Sequence, residues 1–187
     1  MTRFILASAS PRRLSLLADI GVAPDEVIPA ACDETPYKGE RPRALAERLA
    51  LEKGRVIADL HPDAMVLAAD TVVACGRRVL PKAETEDDVR TCLTLLSGRR
   101  HHVYTAVAVF TPDGLIRHRL SDSRVAFKRL SPEEIDAYVA SGEGIGKAGG
   151  YAIQGKAATL IRSISGSYSG IVGLPLFETA SLFPSLS

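Results

Sequence analysis

Phe4-Ile5-Leu6-Ala7-Ser8-Ala9-Ser10-Pro11-Arg12-Arg13 carries the chain from an apolar run into what reads as a helix N-terminus. The four leading side chains suit a short buried strand. Ser10 stands at the N-cap position, and Pro11 occupies the first helical position, where its missing N–H costs nothing. Leu14, Leu17 and Ala18 recur at helical spacing until Gly21 stops the segment. A strand feeding a helix N-terminus presents unpaired N–H groups and the positive end of the helix dipole. Arg12 and Arg13 put two permanent cations in that first turn, where helix stability alone favours acids. A bound anion resolves the conflict; a capped surface helix with two solvated arginines fits the same pattern.

Outward from this stretch, Glu26-Val27-Ile28 reads as a short strand, and a polar, proline-rich loop from Ala30 to Pro42 carries Asp33-Glu34-Thr35. Arg43 to Asp59 reads as helix, with Leu45, Leu49, Val56 and Ile57 on one face and Lys53 near the edge of that stripe. Met65 to Ala69 is wholly apolar, as in a central strand buried on both faces. It ends in Asp70-Thr71, and Val72-Val73-Ala74 resumes as strand up to a turn at Gly76. Thr85 and Asp88 form a capping-box pattern ahead of Val89, Cys92, Leu93 and Leu96, which face inward on a helix that Gly98 ends. His101 to Phe110 and the region Leu115 to Phe127 read as strands joined at Pro112-Asp113-Gly114. Ser131-Pro132-Glu133-Glu134 opens another helix, which stops near Gly142. Then come a glycine-rich loop from Gly144 to Gly150, strand-like segments at Tyr151-Ala152-Ile153 and Thr159 to Ile164, and a last helix after Pro175. Hairpins beside helical crossovers predict an α/β or α+β fold with a mixed sheet. No linker or repeat interrupts it, so residues 1–187 read as a single domain.

With 187 residues, 46% of them hydrophobic, the chain can bury a substantial core. A net charge of +1 gives no reason to expect nucleic acid or a membrane surface as partner. The absence of Trp and the scarcity of aromatics argue against a stacking platform for single strands. No run reaches transmembrane length, and the N-terminus lacks a signal-peptide pattern. Cys32, Cys75 and Cys92 have no CxxC or zinc spacing and read as reduced thiols of a cytoplasmic protein.

Asp70 is the leading chemical candidate. An acid closing an apolar strand sits where open α/β sheets place their ligands, and it can take a proton from water. The same acid can also cap a neighbouring turn. Asp33 and Glu34 add carboxylates of the kind that hold Mg²⁺ or Mn²⁺ against phosphates, although such a pair in a polar loop is more often solvated. Lys53, Lys82 and Lys147 join Arg12 and Arg13 as cations able to line a cleft for a triphosphate. His101 and His102 are adjacent in a strand and point to opposite faces, so they do not share a metal. Ser8 and Ser10 lack a visible His-Asp partnership, and the glycine loop lacks the GK[ST] of a Walker motif.

Taken in order, Leu6 to Arg13, Asp33-Glu34-Thr35, Ala68-Ala69-Asp70-Thr71-Val72-Val73, Lys147 to Gly155 and Gly173-Leu174-Pro175 resemble the Maf family over nearly the whole chain. The resemblance implies a two-lobed, mixed-sheet fold around a deep cleft, similar to inosine triphosphate pyrophosphatases. It also implies a cytoplasmic, divalent-cation-dependent enzyme that cuts nucleoside triphosphates between the α- and β-phosphates. Carried over by position, Asp70 is the proton acceptor and, with Glu34, a metal-linked acid. Ser8, Arg12, Arg13, Lys53 and Lys82 fall on phosphate-contacting positions, and Arg12, Thr71 and Gln154 on positions tied to substrate choice. Pro11-Arg12-Arg13 and Ile153-Gln154-Gly155 resemble the branch acting on dTTP and UTP. Broader clearance of modified pyrimidine nucleotides, or a non-catalytic part in septum formation, are the other functions associated with such a chain, and the family suggests a homodimer. Two departures stand out: Lys82-Ala83 replaces the usual Lys-Pro, with the proline at Pro81, and Ser169-Gly170-Ile171 stands where many relatives have Asn and then Val.

Overall fold

A computed structural model describes residues 2–183. Its centre is a seven-stranded mixed sheet in the order β2-β1-β3-β5-β6-β7, with β4 set against β3. β1 (Arg3–Ala7) runs parallel to both β2 (Glu26–Val27) and β3 (Ala64–Cys75). From β3 onward the pairing is antiparallel, through β5 (Arg100–Phe110), β6 (Ile116–Phe127) and β7 (Ile161–Ser165). β4 (Arg78–Leu80) folds back on the end of β3.

The register of β3 positions everything that follows. β5 lies along one edge from Val66 to Ala74. On the opposite edge, β1 stops at the Ala7–Ala68 pair and β4 begins at Val73–Leu80. Among the described residues, Ala69 to Val72 therefore have no strand beside them on that edge. The sheet has a gap there, and Asp70 and Thr71 sit in it. Asp70 is thus in the middle of a twelve-residue strand, not at the end of a short one as the apolar run suggested. What ends beside it is β1.

Strand alternation sends neighbouring side chains to opposite faces. Val66 and Ala68 pack with Ile5, Ala7 and Ile57 beneath α2 (Pro42–Leu60). Leu67 and Ala69 pack with Phe4, Leu6, Leu17, Leu174 and Leu182 beneath α1 (Pro11–Asp19) and α6 (Leu176–Leu182). A separate core at the far end of β3 and β5 joins Val73 and Val103 to α3 (Glu86–Leu96) and α4 (Pro132–Ala140). Both capping boxes form, Thr85 with Asp88 and Ser131 with Glu134.

Four local expectations change. Ser10 is the N-cap of α1, but its hydroxyl makes no capping bond; the Ser10 N–H instead donates to Ser8 Oγ. Val56 is 36% exposed, turned off the buried stripe that holds Leu45, Leu49 and Ile57. Tyr151-Ala152-Ile153 is not strand: the segment is irregular up to a short 3₁₀ turn at Lys156–Thr159, and β7 begins only at Ile161. A short helix, α5 (Tyr168–Val172), precedes α6 and is capped by the Ser167 hydroxyl.

Candidate active site

At the gap in the sheet lies a cleft of about 340 Å³. Ser8, Arg12, Arg13, Glu34, Lys53, Asp70, Thr71, Lys82 and Gln154 all line it, so these candidates come to one place; Asp33 is not in the lining, and its Oδ1 accepts the Thr35 N–H at 2.9 Å instead. Lys147 lines it as well.

On the α2 face, Asp70 and Lys53 are both buried. Lys53 Nζ donates to Asp70 Oδ1 at 2.6 Å and lies 2.7 Å from Glu34 Oε1. Glu34 Oε2 reaches on to Lys82 Nζ at 3.5 Å, across the cleft. One ammonium is thus held between two carboxylates, and one carboxylate between two ammoniums. Burial works against the charge on Lys53, yet Asp70 and Glu34 outweigh it and hold the lysine above its ordinary pKa. Burial likewise opposes the charge on Glu34, but Lys53 and Lys82 bring it below the usual carboxylate range. Both groups are charged at neutral pH.

Thr71 points to the opposite face, toward the arginines. Arg13 donates from Nε to the Gly173 carbonyl at 2.7 Å, from Nη1 to Ser8 Oγ at 3.1 Å and from Nη2 to Thr71 Oγ1 at 3.3 Å. Its fork is thereby fixed in place. Arg12 donates only Nε, to the Val172 carbonyl at 3.2 Å, which leaves both terminal nitrogens without an acceptor among the described residues. Burial lowers the pKa of both arginines, but a guanidinium stays protonated through such shifts. Thr105, fully buried, donates to the Gly170 carbonyl at 2.7 Å and lies 3.0 Å from Thr71 Oγ1, tying α5 to the back of the arginine pair. Its signal in the sequence is a single threonine in the run Val103 to Phe110.

Across the cleft, residues 81–83 pair with the glycine loop. Ala83 N–H donates to the Lys147 carbonyl at 3.1 Å, Gly146 N–H to the Ala83 carbonyl at 2.7 Å, and Gly149 N–H to the Pro81 carbonyl at 3.2 Å. The alanine at 83 supplies a donor that a proline lacks. The departure from the Lys-Pro pattern therefore adds the bond from Ala83 to the Lys147 carbonyl. Gln154 is exposed to the cleft, and its side chain has no protein partner among the described residues.

Chemically, five cations face two carboxylates in one depression, which suits a polyanion. Among the described residues no group of three or more His, Cys, Asp and Glu side chains is spaced to hold a metal alone. Asp70 and Glu34 nevertheless both reach the Lys53 ammonium, which brings the two carboxylates into one neighbourhood of the cleft. Two hard oxygen donors, with phosphate and water completing the set, fit Mg²⁺ or Mn²⁺. His101 and His102 diverge as expected: His101 meets the Tyr151 hydroxyl at 2.7 Å in the core, and His102 meets Asp122 at 2.7 Å at the surface. The cysteines are free thiols.

Fold and site define an α/β protein with a cation-lined, carboxylate-bearing cleft at a break in its sheet. The Maf-like protein family matches residues 3–186, and the chain belongs to that family. A relative in Novosphingobium aromaticivorans, named a dTTP/UTP pyrophosphatase, is 61% identical over 95% of this chain and 89% of its own. One of the same name in Caulobacter vibrioides is 60% identical over 97% and 94%. Among solved structures, the Staphylococcus aureus Ham1 protein is 16% identical and covers 66% of this chain and 71% of its own at a TM-score of 0.49.

Proposed function

We propose that the protein hydrolyses dTTP and UTP between the α- and β-phosphates, releasing the nucleoside monophosphate and pyrophosphate. The observation that carries this reading is the meeting of Asp70, Lys53 and Glu34 with Arg12, Arg13 and Lys82 in one cleft. The names of the relatives point the same way. Arg12, with its free terminal nitrogens, and Lys82 hold the triphosphate, while Arg13 braces Ser8 and Thr71 around it. Asp70 keeps Oδ1 on Lys53 and uses Oδ2 to orient and deprotonate the attacking water. Lys53 and the arginines stabilise charge that builds on the phosphate oxygens. A divalent cation held by Asp70 and Glu34 supplies further neutralisation of the phosphates when bound.

Gln154 reads the base. Thymine and uracil place an acceptor at O4 beside a donor at N3, and one amide complements both. Cytosine reverses that order and, against an amide in the same pose, leaves groups unpaired, at about 1–3 kcal/mol each. The reading includes Mg²⁺ or Mn²⁺ as cofactor, a cytoplasmic single-domain enzyme and a homodimer, all supported by the family resemblance. No helix among the described residues is long and apolar enough to cross a membrane.

A panel of dTTP, UTP, dCTP, GTP and 7-methyl-GTP, each with Mg²⁺ or Mn²⁺ and read as pyrophosphate release, tests the assignment. Turnover is expected with dTTP and UTP and is lost with a chelator. Gln154→Ala lowers the dTTP-to-dCTP preference by roughly tenfold or more without changing the cation requirement. Preference for a purine substrate overturns the base assignment. Pyrophosphate from none of them leaves the non-catalytic role in septum formation.

A further inference from the structure

The stretch that carries Gln154 has almost no backbone scaffold of its own. Residues 151–155 form neither helix nor strand. One backbone bond closes the turn, from Gly155 N–H to the Ala152 carbonyl at 3.1 Å. Among the described residues, the N–H groups of Ile153 and Gln154 have no partner in the protein. Yet both ends of the turn are tied from behind by side chains. Tyr138 of α4, 3% exposed, accepts the Ala152 N–H on its hydroxyl at 3.0 Å. Glu143, just past α4, accepts the Lys156 N–H on Oε2 at 2.7 Å. The Glu143 carboxylate lies so close against Gly155 that any Cβ there would overlap it, so a glycine at 155 is what admits the clamp. Neither Tyr138 nor Glu143 is among the residues lining the cleft.

We propose that Tyr138 and Glu143 are positioning residues for base selection, holding the Ala152–Lys156 turn in the one conformation that presents Gln154 to the nucleotide. This rests on the base-reading role of Gln154 proposed above. Hydrogen-bond discrimination between two bases needs its donor and acceptor held to a fraction of an ångström, and side chains on loops reach that only when a supporting shell fixes the loop. Removing either anchor frees the backbone torsions around Gln154 and leaves the phosphate-binding wall untouched. The anchors act on recognition and leave the bond-breaking step alone.

Steady-state kinetics of the full-length protein on dTTP and dCTP test this. Glu143→Ala and Tyr138→Phe are each expected to lower the ratio of kcat/KM for dTTP over dCTP by about tenfold, roughly the contribution of one well-placed hydrogen bond. The loss appears in the KM for dTTP, with kcat within about twofold of the parent. Glu143→Gln keeps an acceptor oxygen and restores the ratio. Added to Gln154→Ala, Glu143→Ala has no further effect on the ratio, because the group it positions is gone. Glu143 is only partly buried, so its variants carry the test if Tyr138→Phe folds poorly. If Gln154→Ala lowers the ratio while Glu143→Ala leaves both the ratio and the dTTP KM unchanged, the anchors are idle and the inference fails with the base-reading role intact. If Gln154→Ala itself leaves the ratio unchanged, the base-reading role fails and takes this inference with it.

Discussion

Asp70→Asn is expected to cut pyrophosphate release from dTTP by roughly a hundred- to ten-thousandfold while leaving the thermal unfolding midpoint close to that of the parent. The amide has the shape of the carboxylate and keeps an oxygen for Lys53, which now sits 2.6 Å from Asp70 Oδ1. Lys53 also keeps the full charge of Glu34 at 2.7 Å, so the buried ammonium is not left without a counter-ion. That spares the variant the roughly 3–5 kcal/mol that an orphaned buried charge costs. Chemistry fares differently, because an amide has no basic oxygen to take a proton from water and no charge to offer a cation. A coupled pyrophosphate assay beside a circular dichroism melt separates the two effects. Normal turnover in this variant would remove Asp70 from the reaction.

Gly144→Ala is expected to lower the melting temperature by roughly 6–12 °C, from an overpacking penalty of about 3 kcal/mol and the usual two to four degrees per kcal/mol in a chain of this size. A Cβ at this buried position would run into the Gly150 carbonyl oxygen and come within 2.8 and 2.9 Å of the two Val89 methyls. Neither neighbour has room to retreat. Val89 is 1% exposed in the α3 core, and Gly150 itself presses on the Val89 backbone, where a Cβ at 150 would lie 3.2 Å from Cα. Gly146 is the control: nothing lies within 4 Å of its Cβ position, and only a φ of +72° argues for glycine there. Gly146→Ala therefore costs only about 1–2 kcal/mol. Melts of the two variants side by side check the packing, and a Gly144→Ala protein as stable as Gly146→Ala would contradict it.

The two glycines show why the sequence conveyed part of this structure and withheld the rest. In the chain they are equivalent members of one flexible loop; what separates them is α3, more than fifty residues upstream of Gly146. Elements specified by adjacent residues were legible, such as the strand-to-helix passage at Phe4 to Asp19 and the capping boxes at Thr85 and Ser131. The place of Asp70 was legible only in part. The apolar run before it announced a buried strand, but whether that strand ends there depends on where β1 stops and β4 starts, which is a matter of register between distant segments. Tyr151-Ala152-Ile153 is strand-like in residue type, but its backbone turns and bonds to side chains outside the local pattern, Ala152 to Tyr138 and, just beyond, Lys156 to Glu143. The charged residues were recognisable by type. Their pairing was not, since nothing near Lys53 in the chain shows that it is gripped by Glu34 and Asp70 together.

β3 and β5 run unbroken through both packed regions of the molecule. Two halves that share their central beams cannot swing apart like jaws. Entry and exit of a nucleotide fall instead to the rim, to the irregular residues 28–41 that bear Glu34. The latch between the two sides is the contact from Glu34 to the half-exposed Lys82 at 3.5 Å. A solvent-facing pair of that kind is worth no more than about 1 kcal/mol, so the doorway yields easily while the frame stays rigid.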